Sequence, residues 1–353
     1  MSLSGTVMVV HGPEVIDSGM LGKLVACCRP ARIVIAGIMA RAAAEESGIP
    51  VEYAGEPPSR VMTPLGNTCY LVTQGRSSES GRIFGGIVSR RLPGGRLVQV
   101  ECTAGRVILW NRAADALADE LSAATGYPQV SLSGPSRAPE GVRTIRGCVP
   151  GDPVFVNGII IGHATARTVV LSCADGTPVP VSGLDPKPHG IEKLTRAGSF
   201  DPATAWCKSG PIRNVLPLAQ KKPPRGGRIL VLDHCAHELY RRIDGAVVGV
   251  LAIGDDTTAA CGHLCAHLGI PVLGVVDRDR DGIVPEGYAP GSVILEVVSG
   301  RDDDLGREIA GMVSGCPVQW EDWLRAVLLW AGGRAVVIRP PELPVDCHHQ
   351  AQQ

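Results

Sequence analysis

The chain is predicted to adopt an α/β fold, and three observations support this. Apolar runs of about five residues end at glycine or aspartate and precede helix-forming stretches, which is typical of βαβ units on a parallel sheet. Two hairpin signatures, Asn157-Gly158 and Asp175-Gly176, lie between two such regions. The length of 353 residues exceeds one ordinary core. We therefore expect a Rossmann-like α/β domain at residues 1–140, a β-hairpin-rich lobe at 141–222 and a second α/β domain at 223–353.

The N-terminal segment alternates strand and helix signals. Strands are predicted at residues 6–10, 32–36, 51–54, 69–73, 97–101 and 107–110, and helices at 19–28, 38–47 and 113–124. The turns at His11-Gly12-Pro13-Glu14 and at Gly37 follow the first two strands, where backbone N–H groups at a helix start can hold an anion. Plain loop geometry is the alternative. The sequence contains no Gly-x-Gly-x-x-Gly motif and no Walker lysine loop, so dinucleotide binding is not supported.

The middle segment is predicted to form two hairpins. Asn157-Gly158 and Asp175-Gly176 each lie between apolar runs and supply the positive φ angles of tight turns. Charged residues follow in turn-rich stretches. Lys187, His189 and Arg213 are candidates to clamp an anionic group, with solvated loop charges as the alternative.

The C-terminal segment places acidic residues where predicted strands end. Strands are predicted at residues 228–232, 247–253 and 271–276, and they are followed by Asp233, by Asp255-Asp256-Thr257-Thr258 and by Asp277. Open α/β sheets bind ligands at this edge. Helix capping explains one of the two adjacent aspartates and one threonine. The remaining carboxylate needs a compensating cation, basic side chain or water, so this motif is a candidate site for a second metal ion or the substrate.

The motif Asp277-x-Asp279-x-Asp281-Gly282 offers three carboxylates to a hard cation. It also matches the opening half of an EF-hand calcium loop. The twelfth position of such a loop is Tyr288 here instead of glutamate, and a strand instead of a helix precedes the motif. We therefore expect Asp277, Asp279 and Asp281 to bind Mg²⁺, with Ca²⁺ as the alternative.

Asp-x-Asp-x-x-Gly after a buried strand resembles the Toprim catalytic domain of primases, topoisomerases and related nucleases. The resemblance implies that Asp277 and Asp279 bind magnesium for phosphoryl transfer. It places Asp233, at the end of the first strand, where that family has a catalytic glutamate. Such an arrangement requires the acidic residues to follow neighbouring strands, and an interleaved strand would prevent it.

A second resemblance spans nearly the whole chain. Four motifs are similar to an uncharacterised protein family of methanogenic archaea: His11-Gly12-Pro13-Glu14 with Asp17-Ser18-Gly19, Asn157-Gly158 with Ile161-Gly162, His189-Gly190-Ile191-Glu192-Lys193-Leu194, and Gly254-Asp255-Asp256-Thr257-Thr258. This resemblance implies an anaerobic cytoplasm but no activity. Polar and glycine residues in predicted loops suit a binding site more than a packing role.

Composition narrows the function classes. The net charge is -1 and only 13 residues are aromatic, so nucleic acid binding is not expected. The apolar stretch at residues 245–254 is about half as long as a membrane-spanning helix. The start of the chain lacks a basic region typical of secretion signals. Twelve cysteines without a Cys-x-x-Cys motif favour reduced thiols. We therefore expect a cytoplasmic protein without a membrane anchor.

Zinc is a further alternative on the helix predicted after Thr258. Cys261 and Cys265 lie one helical turn apart, and so do His263 and His267. At about 100° per residue the two pairs point to opposite sides of the helix. They cannot form one site, and a buried cysteine face with a polar histidine face is the simpler reading.

Three function classes remain open. The first is a magnesium-dependent enzyme acting on a phosphorylated or nucleotide-like small molecule. The second is a non-catalytic sensor or binding module for a metabolite. The third is an assembly protein that forms a homo-oligomer or binds another subunit. A helix would then face the partner with four residues at helical spacing, Trp320, Trp323, Val327 and Trp330. A role of these residues in the core is the alternative.

Overall fold

The computed structural model describes residues 3–134, 141–198, 200–218, 226–277, 281–285 and 287–338. The chain forms two compact units, Met1–Pro211 and Ile212–Gln353. The segment predicted as an N-terminal domain and most of the predicted middle lobe fall within the first unit. The division into three domains stays a prediction.

A seven-stranded sheet forms the centre of the first unit. Its strands are β1 (Val7–His11), β2 (Arg32–Ala36), β3 (Glu52–Ala54), β4 (Cys69–Thr73), β5 (Leu97–Glu101), β6 (Arg106–Trp110) and β7 (Gln129–Leu132), in the order β3-β2-β1-β4-β5-β6-β7. Only β5 and β6 pair antiparallel among these neighbours. Alternate residues of β1 enter two apolar cores, Met8 and Val10 on one face, Val7 and Val9 on the other. The α/β class predicted from the sequence is confirmed.

Helices connect these strands and cover the sheet. They are α1 (Glu14–Asp17), α2 (Met20–Cys28), α3 (Ile38–Ser47), α4 (Pro58–Met62), α5 (Ser78–Arg90) and α6 (Ala116–Thr125). The longest of them, α5, begins with a capping box in which Ser77 accepts from the Ser80 N–H. Asp115 caps α6 in a similar way, and Gly126 ends it in the left-handed conformation. Local sequence signals thus fix both ends of α6.

The order of the strands reverses beside β1. The chain passes from β1 to β2 and β3 on one side, and then returns to β4 on the other side of β1. His11, the last residue of β1, pairs with Ala36 of β2 and with Thr73 of β4. The carboxyl ends of β1 and β4 therefore form a topological switch point, which is where open α/β sheets leave a crevice for a ligand.

The lobe of the first unit contains two small antiparallel sheets. Its strands are β8 (Val142–Arg146), β9 (Pro153–Val156), β10 (Ile159–Ala164), β11 (Thr168–Ala174), β12 (Thr177–Ser182), β13 (Leu184–Pro186) and β14 (Cys207–Ser209), with one helix, α7 (Pro188–Ala197). Asn157-Gly158 and Asp175-Gly176 form the two predicted turns, and all four residues have positive φ angles. Both hairpins are confirmed.

The second unit is built on a five-stranded sheet. Its strands are β15 (Arg228–Asp233), β16 (Val247–Ile253), β17 (Val272–Val276), β18 (Val293–Val297) and β19 (Ala335–Ile338), in that order, with helices α8 (Leu239–Arg242), α9 (Asp255–Leu268), α10 (Asp302–Ala310) and α11 (Trp320–Ala331). The first four strands are parallel and β19 is antiparallel to β18. Because β16 lies between β15 and β17, the residues that follow β15 and β17 do not come from neighbouring strands.

Helix α11 packs its tryptophans into the core of the second unit. Trp320, Trp323 and Val327 are buried in the apolar cluster on the sheet. Their proposed role in facing a partner is therefore wrong, and the core alternative is confirmed. Trp330 is partly exposed and lies under the Arg334 guanidinium, 4.5 Å from the ring centroid. A homo-oligomer stays a prediction.

None of the helices in the described part of the chain combines the length and apolar character needed to cross a membrane.

Candidate functional site

The turn between β16 and α9 contains the Gly-Asp-Asp-Thr-Thr motif. Gly254 has a φ of +100°, a conformation that favours glycine. Asp255, the first residue of α9, accepts a hydrogen bond from the Asp277 N–H at 3.0 Å through Oδ2. Thr258 packs on β17, where a Cβ on Gly274 would lie 2.2 Å from the Thr258 methyl group. Asp255 and Thr258 therefore hold helix α9 against strand β17.

Three carboxylates meet at the carboxyl edge of this sheet. One oxygen of each of Asp255, Asp277 and Asp302 lies within 4.8 Å of the others. We call this set the buried carboxylate cluster, because Asp255 is 6% and Asp302 is 2% exposed. Asp255 and Asp302 are the first residues of α9 and α10, so two helix N-termini offset part of the negative charge. Oxygen ligands at this spacing are those that Mg²⁺, Mn²⁺ or Ca²⁺ prefer.

A second group at the same edge consists of Asp233, His234 and Asp303, and we call it the surface cluster. His234 Nδ1 lies 2.6 Å from Asp233 Oδ1, and its Nε2 lies 3.5 Å from Asp303 Oδ1. His234 has a φ of +52°, which is a strained conformation for any residue other than glycine. A Cβ on Gly254 would lie 2.8 Å from His234 Nε2, so this glycine leaves room for the ring. The group can hold a metal ion or orient the histidine as a base.

The two clusters meet along the start of α10. The Asp303 N–H donates to Asp302 Oδ1 at 2.9 Å, and each cluster takes one of these two residues. Sequence reasoning missed His234, Asp302 and Asp303. The signal that could have found the two aspartates is the run Asp302-Asp303-Asp304, which follows an apolar strand and a Ser-Gly turn. The preceding strand of the sheet is also followed by an acidic residue, Asp277.

Asp233 and Asp277 were expected to share one cation, as in the Toprim resemblance. The structure places them in different clusters, because β16 separates the strands that they follow. That part of the expectation is wrong. Asp281 lies in neither cluster among the described residues. Asp279 lies outside the described residues, so its metal-binding role stays a prediction.

The rest of the motif lines the start of α9. Asp256 is half-buried, whereas Thr257 and Thr258 are buried. The Thr258 hydroxyl also donates to the carbonyl of Ala252 in β16, the strand before its helix, at 3.4 Å. Binding of a second metal ion or substrate by Asp256 and Thr257 stays a prediction.

The three predicted anion-binding residues have different surroundings. Lys187 precedes the first residue of α7, and His189 lies in its first turn, with Nδ1 3.7 Å from a Glu192 carboxylate oxygen. Arg213 belongs to the second unit and is only 2% exposed. Its Nη1 lies 3.3 Å from His263 Nε2, inside the protein. Arg213 is thus placed as an interior group, and its role in clamping an anion stays a prediction.

The cysteines and histidines of α9 are all buried. Burial raises the pKa of the Cys261 and Cys265 thiols, which disfavours the thiolates that zinc requires. His263 and His267 are also buried, with Nδ1 atoms 3.3 Å from backbone carbonyls. Among the described residues these four side chains form no metal cluster.

Two comparisons match this chain to archaeal proteins. The uncharacterised protein MJ0065 of Methanocaldococcus jannaschii is 29% identical over 326 residues, which cover 85% of this chain and 89% of that protein. No solved structure is significantly similar. The model of a family described as "Uncharacterized protein conserved in archaea" (DUF2117) matches residues 8–315, so the chain belongs to this archaeal family.

Proposed function

We propose that the protein is a divalent-cation-dependent enzyme that acts on a phosphorylated small molecule. The observation that carries this proposal is the buried carboxylate cluster, in which Asp255, Asp277 and Asp302 bring three oxygens within 4.8 Å of one another. Like charges this close repel strongly at a site with little water, and a bound cation relieves the repulsion. Mg²⁺ or Mn²⁺ is the expected ion because all three ligands are oxygens.

The helix N-termini do not remove the need for a cation. A helix terminus carries roughly half of one elementary charge, so two termini offset about one of the three carboxylates. The Asp277 N–H hydrogen bond to Asp255 stabilises one more oxygen. Asp255 and Asp302 are almost fully buried, so water screens the charge of their carboxylates poorly. This burial supports cation binding in addition to helix capping.

The surface cluster supports catalysis beside the cation. If Nδ1 of His234 carries the ring proton, it donates to Asp233, and Nε2 is then the basic nitrogen. A base beside a cation that holds a phosphate oxygen can take a proton from an attacking water or hydroxyl. Asp303 links this base to the buried cluster through its neighbour Asp302. Phosphoryl transfer or phosphoester hydrolysis is the reaction class that uses both groups.

The first experiment is a thermal-shift titration of metal-stripped protein with Mg²⁺, Mn²⁺, Ca²⁺ and Zn²⁺. We expect Mg²⁺ or Mn²⁺ to raise Tm, and a concentration of about one hundred times Kd to stabilise the fold by about 2.7 kcal/mol. Asp255→Asn and Asp302→Asn should abolish the shift. Both should leave the metal-free protein folded or more stable, because repulsion falls. Asp279→Asn tests the predicted ligand outside the described residues.

Asp304→Asn is the matched control. Asp304 lies in the same first turn of α10 and the substitution changes the charge by the same amount, but Asp304 is exposed and pairs with Arg307. A shift that persists in Asp302→Asn, or that disappears equally in Asp304→Asn, would contradict a cation in the buried cluster. A shift without turnover on any phosphorylated substrate would favour the second function class, a metabolite sensor.

A further inference from the structure

The switch point of the first unit carries a group of polar side chains that the cation site does not involve. His11 is the last residue of β1 and Glu14 the first residue of α1, Arg76 follows β4, and Lys208 is the central residue of β14 in the lobe. β14 pairs with β9, which fixes the position of Lys208 in the small sheet. The Lys208 ammonium interacts electrostatically with Glu14 and Arg76, so the lobe places a cation over the edge of the large sheet.

One hydrogen bond and one stacking contact fix His11 in one orientation. Its Nδ1 lies 3.0 Å from the Ala36 carbonyl, so Nδ1 carries the proton that this carbonyl accepts. Its ring stacks on Phe84, with centroids 4.3 Å apart and planes within 5°. Among the described residues, Nε2 has no hydrogen-bond partner. The neutral ring therefore offers one acceptor at the crevice.

Arg76 is held by a carboxylate of the lobe. Its Nη1 donates to both oxygens of Asp152 at 2.7 Å. Within the described part of the chain its Nε and Nη2 make no hydrogen bond, so three N–H donors remain. Gly210 lies against this pair, since a Cβ there would be 2.1 Å from Nη1. Nη1 thus fixes the position of the guanidinium, and Nε and Nη2 can donate to a ligand.

Lys208 and Glu14 attract each other without direct contact. Among the described residues, Lys208 has no ion pair within 4.0 Å, although the two side chains interact electrostatically. Glu14 folds back over Gly12, where a Cβ would lie 2.6 Å from its Oε2. An ammonium and a carboxylate that attract each other without a direct contact can both engage a polar group that accepts from one and donates to the other.

We propose that the crevice formed by His11, Glu14, Arg76 and Lys208 binds a small metabolite that carries an anionic oxygen group, a carboxylate or a phosphate, next to a hydroxyl. The anionic group accepts from Lys208 and from Arg76. The hydroxyl donates to Glu14 or to His11 Nε2. The four protein groups with Asp152 include two cations and two carboxylates, so the crevice has no net charge to hold a bare anion. It selects for the combination of acceptor and donor.

The ionisation of the crevice agrees with this binding mode. Burial, with a smaller effect of Arg76, lowers the pKa of Lys208 to about 8, so most of it is still charged at pH 7. Burial and the positive charge of Lys208 lower the pKa of His11 to about 4, which keeps its ring neutral. Burial raises the pKa of Glu14. A charged lysine beside a neutral histidine supplies one strong donor and one acceptor.

Acylation of lysines tests the proposal on the full-length protein. The chain has six lysines, so mass spectrometry can follow each one after brief treatment with acetic anhydride. Four probes are added in turn: glycerol 3-phosphate, glycerate, inorganic phosphate and glycerol. We expect glycerol 3-phosphate or glycerate at about ten times Kd to slow labelling of Lys208 about tenfold. Phosphate and glycerol should protect it much less, and exposed Lys23 should not be protected by any probe.

The experiment is carried out in EDTA, so a failure of the proposed cation site does not affect it. Protection by glycerol 3-phosphate but not glycerate identifies a phosphate ligand, and the reverse identifies a carboxylate. Glu14→Gln should reduce the preference for glycerol 3-phosphate over inorganic phosphate at least several-fold, because the hydroxyl loses its charged acceptor, while Lys208→Met should abolish the thermal shift given by the probe. Two results would overturn the proposal. One is protection of Lys208 by inorganic phosphate equal to that by glycerol 3-phosphate, and the other is no protection of Lys208 by any probe.

Discussion

Arg76 Nη1 lies 2.7 Å from both carboxylate oxygens of Asp152, and this contact joins the loop after β4 to the lobe. Asp152 is almost fully buried, and its Oδ2 also accepts from the Val149 N–H at 2.9 Å. The pair therefore does two things within the first unit. It holds the lobe at the edge of the large sheet, and it fixes the guanidinium through Nη1.

Asp152→Asn is expected to destabilise the first unit by about 2 kcal/mol. Removal of one partner of a buried ion pair costs about 3 to 5 kcal/mol, and the partial exposure of Arg76 lets water recover some of this. Urea unfolding measures the change. Asp185→Asn is the control, because Asp185 is an exposed residue of the same lobe and its substitution should stay within about 0.5 kcal/mol. Equal effects of both variants would mean that the pair contributes nothing.

His11 makes the first unit sensitive to acid. Its pKa is about 4 in the fold and 6.5 in the unfolded chain. Between pH 6.5 and pH 4 the unfolded state binds more protons, so the free energy of unfolding falls as the pH falls through this window. His11→Gln keeps a donor for the Ala36 carbonyl but does not titrate. Its stability should fall by about 2 to 3 kcal/mol less than that of the natural chain between pH 7 and pH 4.

Urea unfolding at a series of pH values gives this difference directly. The stacking on Phe84 is lost in His11→Gln, so the variant should be less stable at every pH. The slope with pH, and not the absolute stability, is the test. Parallel pH profiles of the two proteins would show that His11 titrates normally in the fold.

The sequence was most informative where structure depends on local signals. Strand β16 and helix α3 have the predicted bounds, because apolar runs and glycines mark their ends. Contacts between residues from distant segments of the chain were harder to predict. Lys208 lies on a three-residue strand that pairs with β9 about fifty residues earlier, and Arg213 is buried despite a polar, turn-rich context. Period and propensity do not report such long-range partners.

Lys208→Met is expected to stabilise the first unit at pH 7. Burial holds the pKa of Lys208 at about 8 in the fold, against 10.5 in the unfolded chain. The unfolded state binds more protons between pH 8 and pH 10.5, so the cost of burying the ammonium is complete below pH 8 and fades above it. Methionine fills the same space without a charge, and the gain should be about 1 to 3 kcal/mol.

Lys23→Met, on an exposed position of α2, should change stability by less than about 0.5 kcal/mol. The advantage of Lys208→Met should shrink when urea unfolding is repeated at pH 10. A loss of stability at pH 7 would mean that the ammonium has a structural role. A stabilising variant that no longer responds to glycerol 3-phosphate would instead show a binding residue maintained at the expense of stability.

Gly249 of β16 is required by the ring of Trp320. A Cβ at residue 249 would lie 2.0 Å from the Trp320 ring, and this ring cannot move freely because its Nε1 donates to the Gly291 carbonyl at 3.0 Å. Gly249→Ala should therefore destabilise the second unit by about 2 to 3 kcal/mol through overpacking. Tryptophan fluorescence during urea unfolding reports it, since Trp320 and Trp323 lie 5.5 Å apart in this core. Gly245→Ala, with no atom within 4 Å of the added Cβ, should be neutral or slightly stabilising, and equal losses in the two variants would contradict the packing argument.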